Sequence, residues 1–99
     1  MTVNILGTEY ELAFIEVNKS NRPEELDSDA DAFMSPHEKK IVVTPYFSAP
    51  ERQRLTRHEL IHAFFYESGN VDWYTNEPLV EWISVQFPKM LEVFKQIGV

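Results

Sequence analysis

His58, Glu59 and His62 stand in the order H-E-x-x-H within Arg57-His58-Glu59-Leu60-Ile61-His62. On a helix, residues four apart share a face, so both imidazoles can reach one Zn2+ at about 2.0 to 2.1 Å. Glu59 is turned by about 100° from His58, beside that metal, where its carboxylate can take a proton from metal-bound water. The pattern alone also suits a surface helix with solvated histidines. A third ligand separates the two readings. Glu77 follows His62 by 77 − 62 = 15 positions in Asn76-Glu77-Pro78-Leu79-Val80-Glu81, room for one helix to end, the chain to turn and a second helix to face the first. Glu81, one turn on, shares the face of Glu77 and is placed to accept the distal N–H of a ligating imidazole. His58, His62 and Glu77 thus make a His2Glu site with one open position. Were Glu77 to point away, Glu81 or Glu67 would be the next candidate.

Elements that could hold such a site follow from periodicity. Residues 2–6 and 9–17 are β-prone runs around Gly7-Thr8, the second alternating Tyr10, Leu12 and Phe14 with Glu9, Glu11 and Ala13, which predicts an opening hairpin. A strand at 32–34, the turn Ser35-Pro36-His37-Glu38 and a strand at 40–44 predict a second hairpin. Ser48-Ala49-Pro50-Glu51 has the form of a capping box, so a helix is expected from there to Ser68, stopped by Gly69. A helical wheel puts Leu60, Ile61, Phe64 and Phe65 on its apolar arc, the histidines at the edge of that arc, and Ala63 and Glu67 outside. A second helix should start near Thr75 or Asn76 and run to Phe87, where Pro88 kinks or splits it and leaves 89–97 as a final segment that closes the core. The expected fold is α+β: about four strands of antiparallel or mixed sheet packed on an H-E-x-x-H helix and a C-terminal glutamate helix, one domain over 1–99.

Composition narrows the function classes. Among 99 residues there is no cysteine, which removes disulfides, thiolate metal ligands and thiol nucleophiles and suits a reducing compartment. A net charge of −7 would repel a phosphate backbone, so nucleic acid is not the expected partner. The N-terminus lacks the pattern of a secretory signal, and no apolar run approaches the ~18 residues of a membrane span. A cytoplasmic, unanchored protein is expected. One rival metal site exists: Asp27-x-Asp29-x-Asp31 with Glu38 at the twelfth place copies the carboxylate spacing of an EF-hand loop. Ala32 stands where that loop needs glycine, Pro36 interrupts it and a strand follows it, so the acidic stretch 24–31 is expected to be a solvated loop.

His58-Glu59-Leu60-Ile61-His62 followed by Asn76-Glu77-x-x-x-Glu81 resembles the gluzincin arrangement, in which H-E-x-x-H gives two ligands and N-E-x-x-x-D the third. Glu81 here replaces the usual Asp. Over nearly its whole length the chain also resembles small zincin-like proteins of phages and prophages. The matching segments are Asn4-Ile5-Leu6-Gly7-Thr8-Glu9-Tyr10, Arg57-His58-Glu59 with Ala63-Phe64 and Glu67-Ser68-Gly69, and Asn76-Glu77 through Glu81-Trp82-Ile83 to Gln86-Phe87-Pro88. ImmA/IrrE-like metallopeptidases and minigluzincins are more distant in the same style. The resemblance implies Zn2+, ligands His58, His62 and Glu77, and Glu59 as general base.

The expected activity is metal-assisted hydrolysis of a protein or peptide substrate. Zinc would polarise the carbonyl and lower the pKa of its water, while Glu59 carries the proton to the leaving amine. A donor for the developing oxyanion is needed; Tyr74, Tyr66 and His37 are candidates, with Tyr74 first because it precedes the helix that delivers Glu77. Zincin sheets commonly offer an edge strand to an extended substrate, and residues 32–34 are the candidate edge. The alternative is a binding or regulatory module that keeps the zinc without turnover, because so short a chain scarcely walls a full cleft. A second copy, or another protein, could complete that cleft.

Overall fold

A computed structural model describes residues 1–24, 26 and 30–99. It is the expected α+β arrangement. Four strands, β1 (Thr2–Ile5), β2 (Thr8–Ala13), β3 (Ala32–Ser35) and β4 (Lys40–Val43), precede three helices, α1 (Ala49–Glu67), α2 (Val71–Tyr74) and α3 (Glu77–Ile97). Strand order is β1-β2-β4-β3, so β3 lies at an edge, as its residues suggest. The two hairpins are antiparallel, while β2 and β4 join them as a parallel pair with Leu12 beside Ile41.

Alternation along the strands sends one set of side chains to α1. Ile5, Tyr10, Leu12, Ala32, Ile41, Val43 and, from α1, Ala63 form the core, flanked by Leu55 and Leu60. The first turn is Leu6-Gly7 rather than Gly7-Thr8, because Ile5 pairs directly with Thr8. Both turn residues have positive φ, 51° and 96°, the twist that a two-residue hairpin requires. Asn4 Oδ1 accepts from the Gly7 N–H at 2.8 Å.

Three expectations about the helices are corrected. The capping box does not form: the Ser48 side chain caps nothing, and Glu51 is paired with Arg54 instead. The apolar arc of α1 is also misplaced by the wheel. Ala63 is fully buried and Glu67 faces the sheet, accepting from Thr8, from the Tyr10 hydroxyl and from Lys39. Phe64, by contrast, is 42% exposed. The helix has two working faces, one on the sheet and one on α3, and a single-arc wheel cannot resolve two.

Pro88 is the third correction. It lies inside an uninterrupted α3. Proline removes the N–H that would bond the carbonyl four residues back, which belongs to Ser84. That carbonyl instead accepts from Arg57 Nε at 2.7 Å, at a residue with no exposed surface. A neighbouring helix thus supplies the donor that proline deletes. Arg57→Leu should therefore cost about 2 kcal/mol in urea unfolding, the usual penalty for an unsatisfied buried carbonyl. In an Arg57→Leu/Pro88→Ala double variant the returned N–H should recover most of that loss; equal costs in both backgrounds would show that the contact does not serve this purpose.

Residues 89–97 do not close the core. Every residue from Phe87 to Val99 is exposed. Among the described residues, no helix is long and apolar enough to cross a membrane.

Candidate metal centre

The site is built where α1 and α3 face each other. His62 is buried at 8% exposure because its position on α1 adjoins Ala63 against the sheet, and His58 sits one turn earlier on the same side. Bringing Glu77 to them takes three punctuation residues. Gly69, at φ 81°, ends α1, and Asn70 then caps α2 by accepting from Trp73 N at 3.0 Å. Asn76 repeats the device for α3, accepting from Leu79 N at 3.1 Å, with Pro78 in the tolerant first turn. Glu77 is therefore the first residue of a capped helix. The helix α2 was not foreseen, since four residues carry no readable period.

His58, His62 and Glu77 converge as a group that could hold a metal ion. The two Nε2 atoms are 3.2 Å apart, and the Glu77 carboxylate lies 2.8 Å from His62 Nε2 and 2.9 Å from His58 Nε2. Their outer nitrogens fix the tautomers. His62 Nδ1 lies 2.8 Å from the Tyr74 carbonyl oxygen, which only accepts, so Nδ1 carries the proton. His58 Nδ1 donates in the same way to Glu81 Oε2 at 2.7 Å, and Arg54 Nη1 holds the other Glu81 oxygen at 2.6 Å. When neutral and protonated on Nδ1, the two imidazoles turn Nε2 lone pairs toward each other and toward the Glu77 carboxylate. Those nitrogens and the Glu77 oxygens lie within hydrogen-bonding distance, a cluster of acceptors that a cation, a metal ion or a proton, would join. A tetrahedral ion with bonds of about 2.0 to 2.1 Å would hold its ligand atoms about 3.3 Å apart, close to the spacing found. The donor set fits a metal cation. Burial also lowers the pKa of His62, outweighing the pull of Glu77, and so keeps its nitrogen free to bind.

Glu59 lines the same cavity, of about 460 Å3, together with His58, His62, Glu77, Tyr74 and residues 32–34 of β3. Its carboxyl is pushed up to about 7, chiefly by burial, with nearby Glu77 adding and His58 opposing. Among the described residues nothing hydrogen-bonds to it, so it stands beside the metal ligands without being tied to them.

Tyr74 contributes twice. Its carbonyl orients His62, and its ring meets the His62 ring edge-on at 5.8 Å. Burial raises its phenol pKa, which keeps the O–H a donor. Of the other oxyanion candidates, Tyr66 packs against Tyr74 at 5.2 Å, and His37 lines a neighbouring cavity of about 480 Å3, apart from the ligands. Glu67, the fallback ligand, is spent on the sheet. Of the EF-hand pattern, Asp27 and Asp29 lie outside the described residues, and Glu38 pairs with Lys40 at 2.7 Å.

Sequence reasoning missed Arg54 and the Tyr74 carbonyl. Arg54 was findable: it precedes His58 by four residues, on the ligand face of α1. A backbone carbonyl leaves no mark in a sequence. If the Glu81 contact orients His58, Glu81→Ala should weaken metal binding by about 10- to 100-fold in a competition titration; unchanged affinity would deny Glu81 that role.

No family model matches this chain, and no curated protein or solved structure was found to be similar to it.

Proposed function

We propose that the protein is a zinc-dependent peptidase in which His58, His62 and Glu77 hold the ion and Glu59 is the general base. The observation that carries this reading is the convergence of His58 Nε2, His62 Nε2 and the Glu77 carboxylate next to the Glu59 carboxyl, which has no hydrogen-bond partner among the described residues. Two imidazoles and one carboxylate are the ligand set of a catalytic rather than a structural zinc site, because they leave a position open. Bound there, Zn2+ would supply a Lewis acid that polarises a substrate carbonyl and acidifies a water molecule. Glu59 takes the proton from the attacking water and delivers it to the departing amine nitrogen, so it begins and ends the cycle as carboxylate. The Tyr74 hydroxyl, on the cavity wall, donates to the carbonyl oxygen as negative charge develops on it.

An extended peptide suits the cavity. Edge strand β3 forms one wall, and among the described residues no strand pairs with its outer side, where a substrate strand could add. The absence of cysteine and of a membrane-spanning helix among the described residues agrees with work in a reducing cytoplasm, including that of a phage-infected cell.

The test is incubation of zinc-loaded protein with a diverse peptide mixture, read by mass spectrometry. Cleavage that stops with chelator and returns with zinc supports the proposal. A second reading, a zinc-bearing binding module, is favoured by one feature: among the described residues the cavity has β3, α1 and α2 as walls but no second lobe to enclose a substrate. Stoichiometric zinc without turnover of any peptide would select that reading.

A further inference from the structure

Beyond Phe87, which still borders α1, the distal half of α3 is an apolar helix left exposed among the described residues. Phe87, Met90, Leu91, Val93, Phe94 and Ile97 are all exposed, Ile97 at 70%, although a helical wheel gathers them into one arc of about 160°. Lys89, Glu92 and Lys95 occupy the opposite side. An isolated helix of this length is marginal in water, so packing is expected to sustain it. The helix also has its own stop: Gly98, at φ 84°, and Val99 both donate to the Phe94 carbonyl.

The spacing of that arc says what kind of surface covers it. Val80, Ile83, Phe87, Met90, Phe94 and Ile97 are separated by 3, 4, 3, 4 and 3 residues, the seam of a helix that packs lengthwise on another helix. Val80, at the start of the seam, is fully buried within the chain. The seam then continues into solvent without a change of period.

We propose that two copies of this chain pair through the distal halves of α3, antiparallel about a two-fold axis level with residue 92. Phe87 of one copy then lies opposite Ile97 of the other, and Met90 opposite Phe94, so a single arrangement covers all four exposed seam positions on both copies. Leu91 and Val93 flank the seam as uncharged neighbours, and the charged residues stay in water. That matters in a chain of net charge −7, because the acidic excess lies elsewhere and this end carries only two lysines and one glutamate, on the side away from the seam. The area also fits. From the fractional exposures, the apolar face amounts to roughly 500 Å2 per copy, which is what a standard interface of about 800 Å2 per partner needs at about 60% apolar. Glu77 is 15 positions from the axis, so the two metal centres stand about 45 Å apart along the pair and neither cavity is covered.

The 99-residue chain should sediment at twice its 11.6 kDa at micromolar concentration, and Phe94→Glu with Ile97→Glu should return it to monomer with unchanged zinc content. A monomeric wild-type chain, or a dimer indifferent to those changes, would overturn the proposal. Because the chain has no cysteine, introduced thiols give a second readout that needs no disruptive charge. Mixed Met90→Cys and Phe94→Cys chains should yield the mixed disulfide in preference to either self-linked form, whereas Glu92→Cys should not cross-link. Preferred self-linking at position 90, or equal linking at position 92, would contradict the antiparallel seam.

Discussion

Replacing Glu59 with Gln should reduce peptide hydrolysis by about 10³-fold while the protein keeps its full complement of zinc. Gln has nearly the same shape but cannot accept the proton of the attacking water. Glu59 is not one of the three converging ligands, so the ion should not notice the change. Both halves must be measured together. Lost activity with zinc retained assigns Glu59 to proton transfer, and lost activity with lost zinc assigns it to the metal's coordination. Undiminished cleavage by this variant would remove the peptidase mechanism. Tyr74→Phe makes an informative companion, because it leaves the carbonyl that orients His62 in place and deletes only the hydroxyl.

The second large effect is on stability. Nε2 of His58 and Nε2 of His62 lie 3.2 Å apart beside the Glu77 carboxylate. The folded chain would bind an ion through residues from two helices, α1 and α3, that an unfolded chain does not hold together, so binding would be linked to folding. At free metal about a thousandfold above Kd, this linkage is worth about 4 kcal/mol. For a domain of this size that corresponds to a Tm at least about 15 °C higher with metal than with chelator. In His62→Ala the chelator-induced difference should vanish. If chelation left the wild-type Tm unchanged, the cluster would be a hydrogen-bonded surface feature rather than a metal centre.

The parts of this account that were legible in the sequence rest on residues with few alternative uses. H-E-x-x-H, the Asn-Glu pair at a helix start and a carboxylate four residues later mark the three residues that converge and the group behind His58. The strands were legible because Tyr10 and Leu12 alternate with Glu9 and Glu11 on a half-buried sheet. Where reading failed, a tertiary partner had replaced the local one. Glu51 is drawn to Arg54 instead of closing a capping box, and Arg57 takes over the Ser84 carbonyl that Pro88 leaves free, so the helix does not break. The wheel of α1 misled because the helix lies between sheet and α3 and needs small Ala63 where it meets the sheet. The exposed end of α3 was misread for the opposite reason: its apolar residues look like core, and among the described residues no element packs over them.

Whether His58, His62 and Glu77 hold a metal is decided by elemental analysis of the protein purified without a histidine tag, followed by anomalous scattering at the zinc edge. One zinc per chain is expected, with a single peak between the two Nε2 atoms and the Glu77 carboxylate that is lost in His62→Ala. A chain that folds fully and retains no metal after exposure to stoichiometric zinc would contradict a metal centre there.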